Sequence, residues 1–331
     1  MAKITIKDVA REAGVSISTV SNALNDVDVL KPETKEHVLS VAKRLHYIPD
    51  VNGRNLKCKA TKVIGLFVTS LKGPYFVTLA DSIFRECAKY GYELNVFVTE
   101  NNTSAMNNIL GRRVDGCIVL GTANREQDMG RIRDYEIPVV FLDREYADEK
   151  LASVVFDSEH DGRMAAEYFI KKGAKKLGFI KGFPGNYDAV LRLKGFQERL
   201  CEAGISLESD YILDGFFEKE KAYESVDEFL RKKLPLPDAI FAANDLSAIG
   251  AMEALQKAGI KIPEDVMVLG VDGIEQNQWY RPTVSSIETG FEKQGCVAVE
   301  KLMHLINGDE QGVVVKLPGN LIERESTKRI K

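Results

Sequence analysis

The stretch Thr5-Ile6-Lys7-Asp8-Val9-Ala10-Arg11-Glu12-Ala13-Gly14-Val15-Ser16-Ile17-Ser18-Thr19-Val20-Ser21-Asn22-Ala23-Leu24-Asn25 decides how the N-terminus folds. Thr5 can cap a first helix, with Asp8 three residues on in the reciprocal place that Glu usually takes. Val9, Ala10 and Ala13 give that helix an apolar face, and Gly14 ends it where a left-handed residue is wanted. Ser16 can cap a second helix over 17–25, with Val20 and Leu24 facing inward. Gly14-Val15-Ser16 is then the turn of a helix-turn-helix, and the small residues Ala10 and Gly14 let its helices approach. Pro32 suits the first turn of a third helix. Val38, Val41, Ala42 and Leu45 follow at helical spacing, and Pro49 closes the unit.

Beyond it, residues 50–60 are polar and basic, the composition of a linker. From residue 61 short β-rich runs alternate with helical stretches. The runs are Val63–Val68, Leu94–Val98, Gly116–Leu120 and Val139–Leu142. After Asp143 a similar series is expected, over Leu177–Ile180, Tyr211–Leu213, Ala239–Ala242 and Val266–Val271. Helical patterns at 76–90, 189–203 and 246–258 lie between them. Such alternation predicts parallel sheets with crossover helices, and two series predict two similar α/β subdomains. The expected domains are a helix-turn-helix head at 1–49, a hinge at 50–60 and a two-lobed body at 61–331.

Charge follows the same division. The 331 residues carry 45 Lys/Arg against 49 Asp/Glu, a net charge of −4. Residues 1–60 hold ten basic and seven acidic residues and are net positive, so the remainder is acidic. A basic head on an acidic body suits a nucleic-acid reader joined to a sensor of something else. The five cysteines and four histidines form no CxxC, HxxxH or mixed cluster, so no metal site is expected. GxGxxG, Walker and GxSxG motifs are absent, so neither a cofactor nor a catalytic residue is expected. The N-terminus has no apolar signal segment and no run long enough to span a membrane, which points to the cytoplasm.

Residues 5–25 resemble, without gaps, the headpiece of the lactose/galactose repressor family of bacterial transcription regulators. The resemblance implies that the second helix enters the major groove of operator DNA, with Ile17, Ser18 and Asn22 at base-reading positions. Ile17 can meet a thymine methyl, and Asn22 can bond adenine N6 and N7 together. Thr5, Ser16, Thr19, Ser21, Asn25, Thr34 and Tyr47 take the family's phosphate-contacting positions. Val51–Lys57 takes the place of a hinge helix that folds on the operator, with Leu56 as a minor-groove wedge and Arg54 beside it.

The body resembles the periplasmic-binding-protein-like half of the same family. The resemblance is carried by Ala258-Gly259-Ile260-Lys261-Ile262-Pro263-Glu264-Asp265-Val266-Met267-Val268-Leu269-Gly270-Val271-Asp272, by Ala242-Ala243-Asn244-Asp245 and by Leu191-Arg192-Leu193-Lys194-Gly195-Phe196. Ligands of open α/β sheets bind outside the carboxyl ends of strands. Thr69, Ser70, Asp143, Asn244 and Asp272 each follow a β-rich run and would converge on a cleft between subdomains. Arg192 offers a donor fork, and Asp188 adds acid four residues before it. The resemblance adds Tyr75, Phe76, Phe217 and Phe291 as apolar walls. That mixture suits a sugar or another small polyhydroxyl effector.

The expected protein is a dimeric, effector-regulated repressor of carbohydrate-utilisation genes that binds a palindromic operator. No leucine-heptad tail follows Lys331, so dimers rather than tetramers are expected. One alternative is a global carbon-catabolite regulator controlled by a phosphocarrier protein. Another, from a different class, is a free sugar-binding module or enzyme, which the basic head opposes. Two substitutions check the head and hinge. Asn22→Arg should move half-site preference from A·T towards G·C at one step, read by binding to a degenerate operator library. Gly53 stands where relatives commonly have Ala and costs a helix about 1 kcal/mol. Gly53→Ala should therefore tighten operator binding in a filter-binding titration.

Overall fold

The computed structural model describes residues 4–25, 29–47, 60–111, 113–121 and 126–328. The chain divides into two compact units between Thr61 and Lys62.

The N-terminal unit contains α1 (Ile6–Ala13), α2 (Ile17–Leu24) and α3 (Pro32–Arg44). The Thr5 backbone N–H and hydroxyl both donate to the Asp8 carboxylate, at 2.9 and 2.7 Å, so the expected capping box forms with Asp in place of Glu. Gly14 ends α1 at φ 66°, and its N–H and that of Val15 return to carbonyls of the last turn. Val9, Ala10, Ala13, Val20, Ala23, Val38, Val41 and Ala42 form one buried cluster among the three helices.

The second unit begins with β1 (Val63–Val68), α4 (Pro74–Lys89), β2 (Glu93–Val98), α5 (Asn102–Leu110), β3 (Gly116–Val119), α6 (Glu126–Asp134), β4 (Val139–Phe141) and β5 (Leu151–Phe156). It continues with α7 (Ser158–Lys171), β6 (Leu177–Lys181), α8 (Tyr187–Glu202), β7 (Ile212–Asp214), α9 (Lys219–Arg231), β8 (Ala239–Ala242), α10 (Asp245–Lys257), β9 (Met267–Asp272) and β10 (Ser285–Glu288). It closes with α11 (Phe291–Asn307), β11 (Val314–Leu317) and β12 (Asn320–Ile322).

Two six-stranded sheets result, β2-β1-β3-β4-β5-β11 and β7-β6-β8-β9-β10-β12. Every pairing is parallel except β10 with β12. The inner strands are buried along nearly their whole length, because crossover helices cover sheet faces. Both sheets share one order, and in each the order reverses beside the first strand. The carboxyl ends of β1 and β3, and of β6 and β8, therefore flank two topological switch points, where doubly wound sheets bind ligands.

The four runs expected in each series fall in one sheet each, as β1–β4 and β6–β9, and the structure adds four strands to them: β5 and β11 in the first sheet, β10 and β12 in the second. The chain crosses between lobes three times, after Phe156, after Glu288 and after Leu317. Helix α11, late in sequence, packs on α4, β3, β4 and β5 of the first lobe. Sheet membership here depends on parallel pairing with strands far upstream, which local periodicity does not encode.

Helices α7 and α8 of the second lobe meet at their backbones. A Cβ on Gly162 would lie 2.1 Å from the Arg192 carbonyl oxygen, and one on Gly195 2.0 Å from that of Glu159. Gly195→Ala should destabilise the protein by about 1–3 kcal/mol, since backbone cannot yield as a flexible side chain can. Calorimetry should show a clear fall in melting temperature, while Gly130→Ala, inside α6 with nothing within 4 Å, should leave it unchanged or raise it slightly.

Candidate effector cleft and DNA-reading helix

In the head, the Ser16 hydroxyl caps α2 by accepting the Thr19 N–H at 3.1 Å. It also bonds the hydroxyls of Ser18 and Thr19, at 2.7 and 2.8 Å. Ile17, an apolar side chain at the first position of α2, is 45% exposed with no core to fill. Asn22 is half-buried, and its carboxamide has no hydrogen-bond partner among the described residues. Thr5 and Asn25 are engaged locally, with Asp8 and with the Ser21 carbonyl. Thr34 lies in the first turn of α3, and Tyr47 packs partly into the head core. Arg54, Leu56 and Gly53 lie outside the described residues.

In the body, the expected residues separate into a group around Tyr75 and a group that makes its contacts within the second lobe. Tyr75 is the centre of the first. Its ring stands edge-on to Phe291 at 4.8 Å and to Phe76 at 5.3 Å. Its hydroxyl donates to Gln294 Oε1 at 2.9 Å. Burial, and then the negative charges of Asp188, Asp143 and Asp272, push the Tyr75 pKa well up and keep the phenol neutral. Carboxyl groups from two strand ends and from the first turn of α8 thus act electrostatically on one phenol. Asp143 accepts the Gly121 N–H and pairs with Arg144 through two contacts, at 2.8 and 2.9 Å. Thr69 packs on Gly121, where a Cβ would come within 2.9 Å of it. The Ser70 hydroxyl accepts the Lys72 N–H and so shapes the turn before α4.

Asp272 ends β9 at φ 116°, a conformation that side chains other than glycine rarely adopt. Burial and then the neighbouring Asp245 drive its carboxyl well up from the ordinary range. It lines an interlobe cavity of about 730 Å³. Gly73, Pro74, Val77, Thr78 and Phe291 contribute from the first lobe, and Gly273–Gln276 and Glu288 from the second.

Arg192, Asn244 and Phe217 each make contacts within the second lobe. Arg192 is only 3% exposed, and its Nε has no hydrogen-bond partner among the described residues. Its Nη1 donates to the Ala243 carbonyl and its Nη2 to Ser158 Oγ. Ser158 in turn donates to Asp188 at 2.7 Å, so a hydroxyl links guanidinium to carboxylate. Asn244 caps α10: its Oδ1 accepts the Ser247 N–H and its Nδ2 donates to the Phe217 carbonyl. Both of its ends are used. The Phe217 ring covers Gly182, where a Cβ would meet it at 2.2 Å, and stands edge-on to Phe183.

Several functional neighbours went unread in the sequence. Ser158 opens α7 just after a strand, the same signal that singled out Asp143. Gln294 is a fully buried polar residue in an apolar helix face, and it donates to the carbonyls of Val154 and Leu142. Asp245 is fully buried and accepts from Gly273 N, Ile274 N and Asn277 Nδ2, holding the loop after Asp272. Across the lobes, Tyr187 of α8 donates to Glu145, which also pairs with Lys316 at 2.8 Å.

Residues 61–325 match the family model described as periplasmic binding proteins and sugar binding domain of LacI family. Residues 5–50 match that of the bacterial regulatory proteins, lacI family. The chain belongs to the lacI family. The chain is similar over 98% of its length to the HTH-type transcriptional repressor PurR of Pasteurella multocida, at 33% identity and 98% coverage of that protein. It is 34% identical to PurR of Haemophilus influenzae strain PittEE, over 98% of this chain and 99% of that one. Among solved structures, the lac repressor dimer bound to operator and the anti-inducer ONPF superposes with a TM-score of 0.82 at 26% identity, covering 98% and 99%. A transcriptional regulator CelR–cellobiose complex does so at 0.74 and 25%, with the same coverage. This lacI-family chain is a ligand-regulated, DNA-binding transcriptional repressor. Among the described residues no helix is long and apolar enough to cross a membrane.

One group of this lacI-family body gives a pH test. Asp161 on α7 is fully buried, and its Oδ1 accepts the Gly319 N–H at the third crossover, while Oδ2 has no partner. Burial pushes its carboxyl up to about 6, against the pull of Arg192. Between about pH 4 and 6 the folded chain therefore binds more protons than the unfolded one, and stability falls as pH rises. The full effect is about 3 kcal/mol at 1.36 kcal/mol per unit. Asp161→Asn should flatten that slope in urea titrations across the window.

Proposed function

We propose that this repressor acts as a dimer and releases or grips a palindromic operator according to an uncharged polyhydroxyl effector, a sugar, held between its lobes. The observation that carries the effector class is the gathering of Asp143, Asp188 and Asp272 around Tyr75, with Arg144 already paired to Asp143 and Arg192 bonded to Ala243 and Ser158. Such a site offers carboxyl groups as hydrogen-bond partners to ligand hydroxyls. The apolar edges of Phe76 and Phe291 suit the less polar face of a sugar ring. The binding of sugars by relatives is consistent with this, as in the CelR–cellobiose complex.

In this reading residues 1–49 read DNA through Ile17, Ser18 and Asn22, with Thr5, Ser16, Thr19, Ser21, Asn25, Thr34 and Tyr47 at the phosphates. Residues 50–60, with Arg54 and Leu56, carry the signal, and residues 61–331 sense and dimerise. The lactose-repressor likeness, with its dimer on an operator, supports the arrangement. So does a first-lobe surface that leaves Val77 and Phe84 of α4 and Val96 and Val98 of the edge strand β2 between 41% and 63% exposed. Exposed apolar side chains on a helix and an unpaired strand edge are what a second subunit would cover. Effector closure would tighten the Tyr187–Glu145 contact across the lobes, and effector and operator affinities must change reciprocally.

The aromatic panel also suits a planar heterocycle, and one screen separates the two. Uncharged monosaccharides and polyols should raise the melting temperature of the full chain, and nucleobases and sugar phosphates should not. Asp272→Ala should weaken the sugar response by about fivefold or more, the loss expected when a buried hydrogen-bond partner is removed. A response to nucleobases alone would replace the sugar reading with the heterocycle.

A further inference from the structure

Phe183, Phe216 and Phe217 form an aromatic cluster, of which only Phe217 was expected to wall the effector cleft. Phe183 follows β6, and Phe216 and Phe217 follow β7, so all three lie at the carboxyl edge of the second sheet. The Phe183 ring stands 5.9 Å from each of the other two. Phe217 lies against Gly182, and its carbonyl is bonded by Asn244 at the end of β8. Glu218, the next residue, reaches 3.9 Å from Lys72 of the first lobe. The cluster therefore sits where the second lobe faces the first.

Two features set this cluster apart from ordinary core. Phe183 remains 47% exposed, although two aromatic neighbours are already within reach. Phe216 and Phe217 are consecutive left-handed residues, at φ 51° and 58°. Side chains bearing a Cβ pay for that conformation, and such strain persists where the surrounding structure or function demands a particular presentation. Here it presents two rings side by side next to an exposed third. Five residues beyond Phe183, along the loop that starts α8, lies Asp188. The exposed ring and the cleft carboxylate thus belong to one short segment.

We propose that Phe183 and Phe216 form a second, apolar subsite at the mouth of the cleft, which takes a second ring of the effector beyond the one held among Asp143, Asp188 and Asp272. The effector is then a two-ring glycoside, with an uncharged ring offering an apolar face to Phe183. The proposal rests on the sugar reading for the inner ring, but the outer subsite is probed independently of it. Stacking of one ring face on Phe183 is worth roughly 3- to 10-fold in affinity.

The experiment uses the full chain and three probes. With 4-fluorophenol alone, the fluorine NMR line should broaden on adding the wild type and stay sharp with Phe183→Ala, while Phe183→Trp should restore the broadening. Phe183 is exposed, so both variants should melt at the wild-type temperature. Calorimetric titration of matched pairs, each free monosaccharide against its phenyl glycoside and its disaccharide, should show 3- to 10-fold tighter binding of the two-ring member. That advantage should vanish in Phe183→Ala, with monosaccharide affinity unchanged. A phenyl advantage without a disaccharide advantage assigns the subsite to aryl aglycones, and the converse to a second sugar. Equal fluorophenol broadening by wild type and Phe183→Ala, or an equal loss for one-ring and two-ring ligands, would overturn the proposal. A fluorophenol effect that depends on Phe183, with no sugar bound at all, would retain the apolar subsite and overturn only the inner-ring reading.

Discussion

A guanidinium sealed inside the second lobe organises the ligand side of this protein. Arg192 is almost wholly buried, so its charge must be met by nearby negative groups and its N–H donors by acceptors. The Ala243 carbonyl and the Ser158 hydroxyl meet two of its nitrogens, and Asp188, Asp161 and Asp272 surround it electrostatically. Those partners come from the end of β8, the start of α7, the start of α8 and the end of β9. One buried charge thus draws four elements to the same carboxyl edge. The glycines at 162 and 195 make this possible, because they let α7 and α8 meet closely enough for Ser158 to bridge Arg192 and Asp188.

The two lobes are joined by the same economy of polar contacts. Gln294, on a helix that follows the second crossover, ties Tyr75 to the backbone of Val154 and Leu142. Asp161 holds Gly319 at the third crossover, and the Asp157 N–H reaches Leu317 between the first and third. The crossovers are therefore anchored by buried hydrogen bonds, whereas the lobe-to-lobe contacts at the cleft are exposed: Tyr187 with Glu145, and Lys72 with Glu218. Strong anchors at the crossovers and weak contacts at the mouth are what a hinged sensor requires, since exposed ion pairs contribute little to stability and break cheaply.

Much of the chain was readable before its structure. The head was legible down to its caps, because Thr5, Asp8, Gly14 and Ser16 act on neighbours within four residues. The strand runs were legible because fully buried parallel strands are continuous apolar stretches. Site residues were legible as positions but less so as roles. Asp272 lines the interlobe cavity, while Arg192 and Asn244, chosen by the same strand-end and motif logic, also bond within the second lobe. A side chain's type and place in a motif do not say which of its hydrogen bonds the protein itself consumes.

Local chemistry settled the three-helix head, the alternation of strands and helices and the switch in charge near residue 60, since each depends on contacts short in sequence. It also carried the family resemblance, which rests on runs of adjacent residues. Only the folded chain settled that Leu151–Phe156 and Val314–Leu317 belong to one sheet, that α11 returns to the first lobe, and that Tyr75 gathers three distant carboxylates. These depend on pairing and burial between segments far apart in the chain, where the energy lies in contacts that no local pattern records. The exposed ring of Phe183 is the same kind of fact: a phenylalanine in sequence, and a surface feature only once Phe216 and Phe217 are folded beside it.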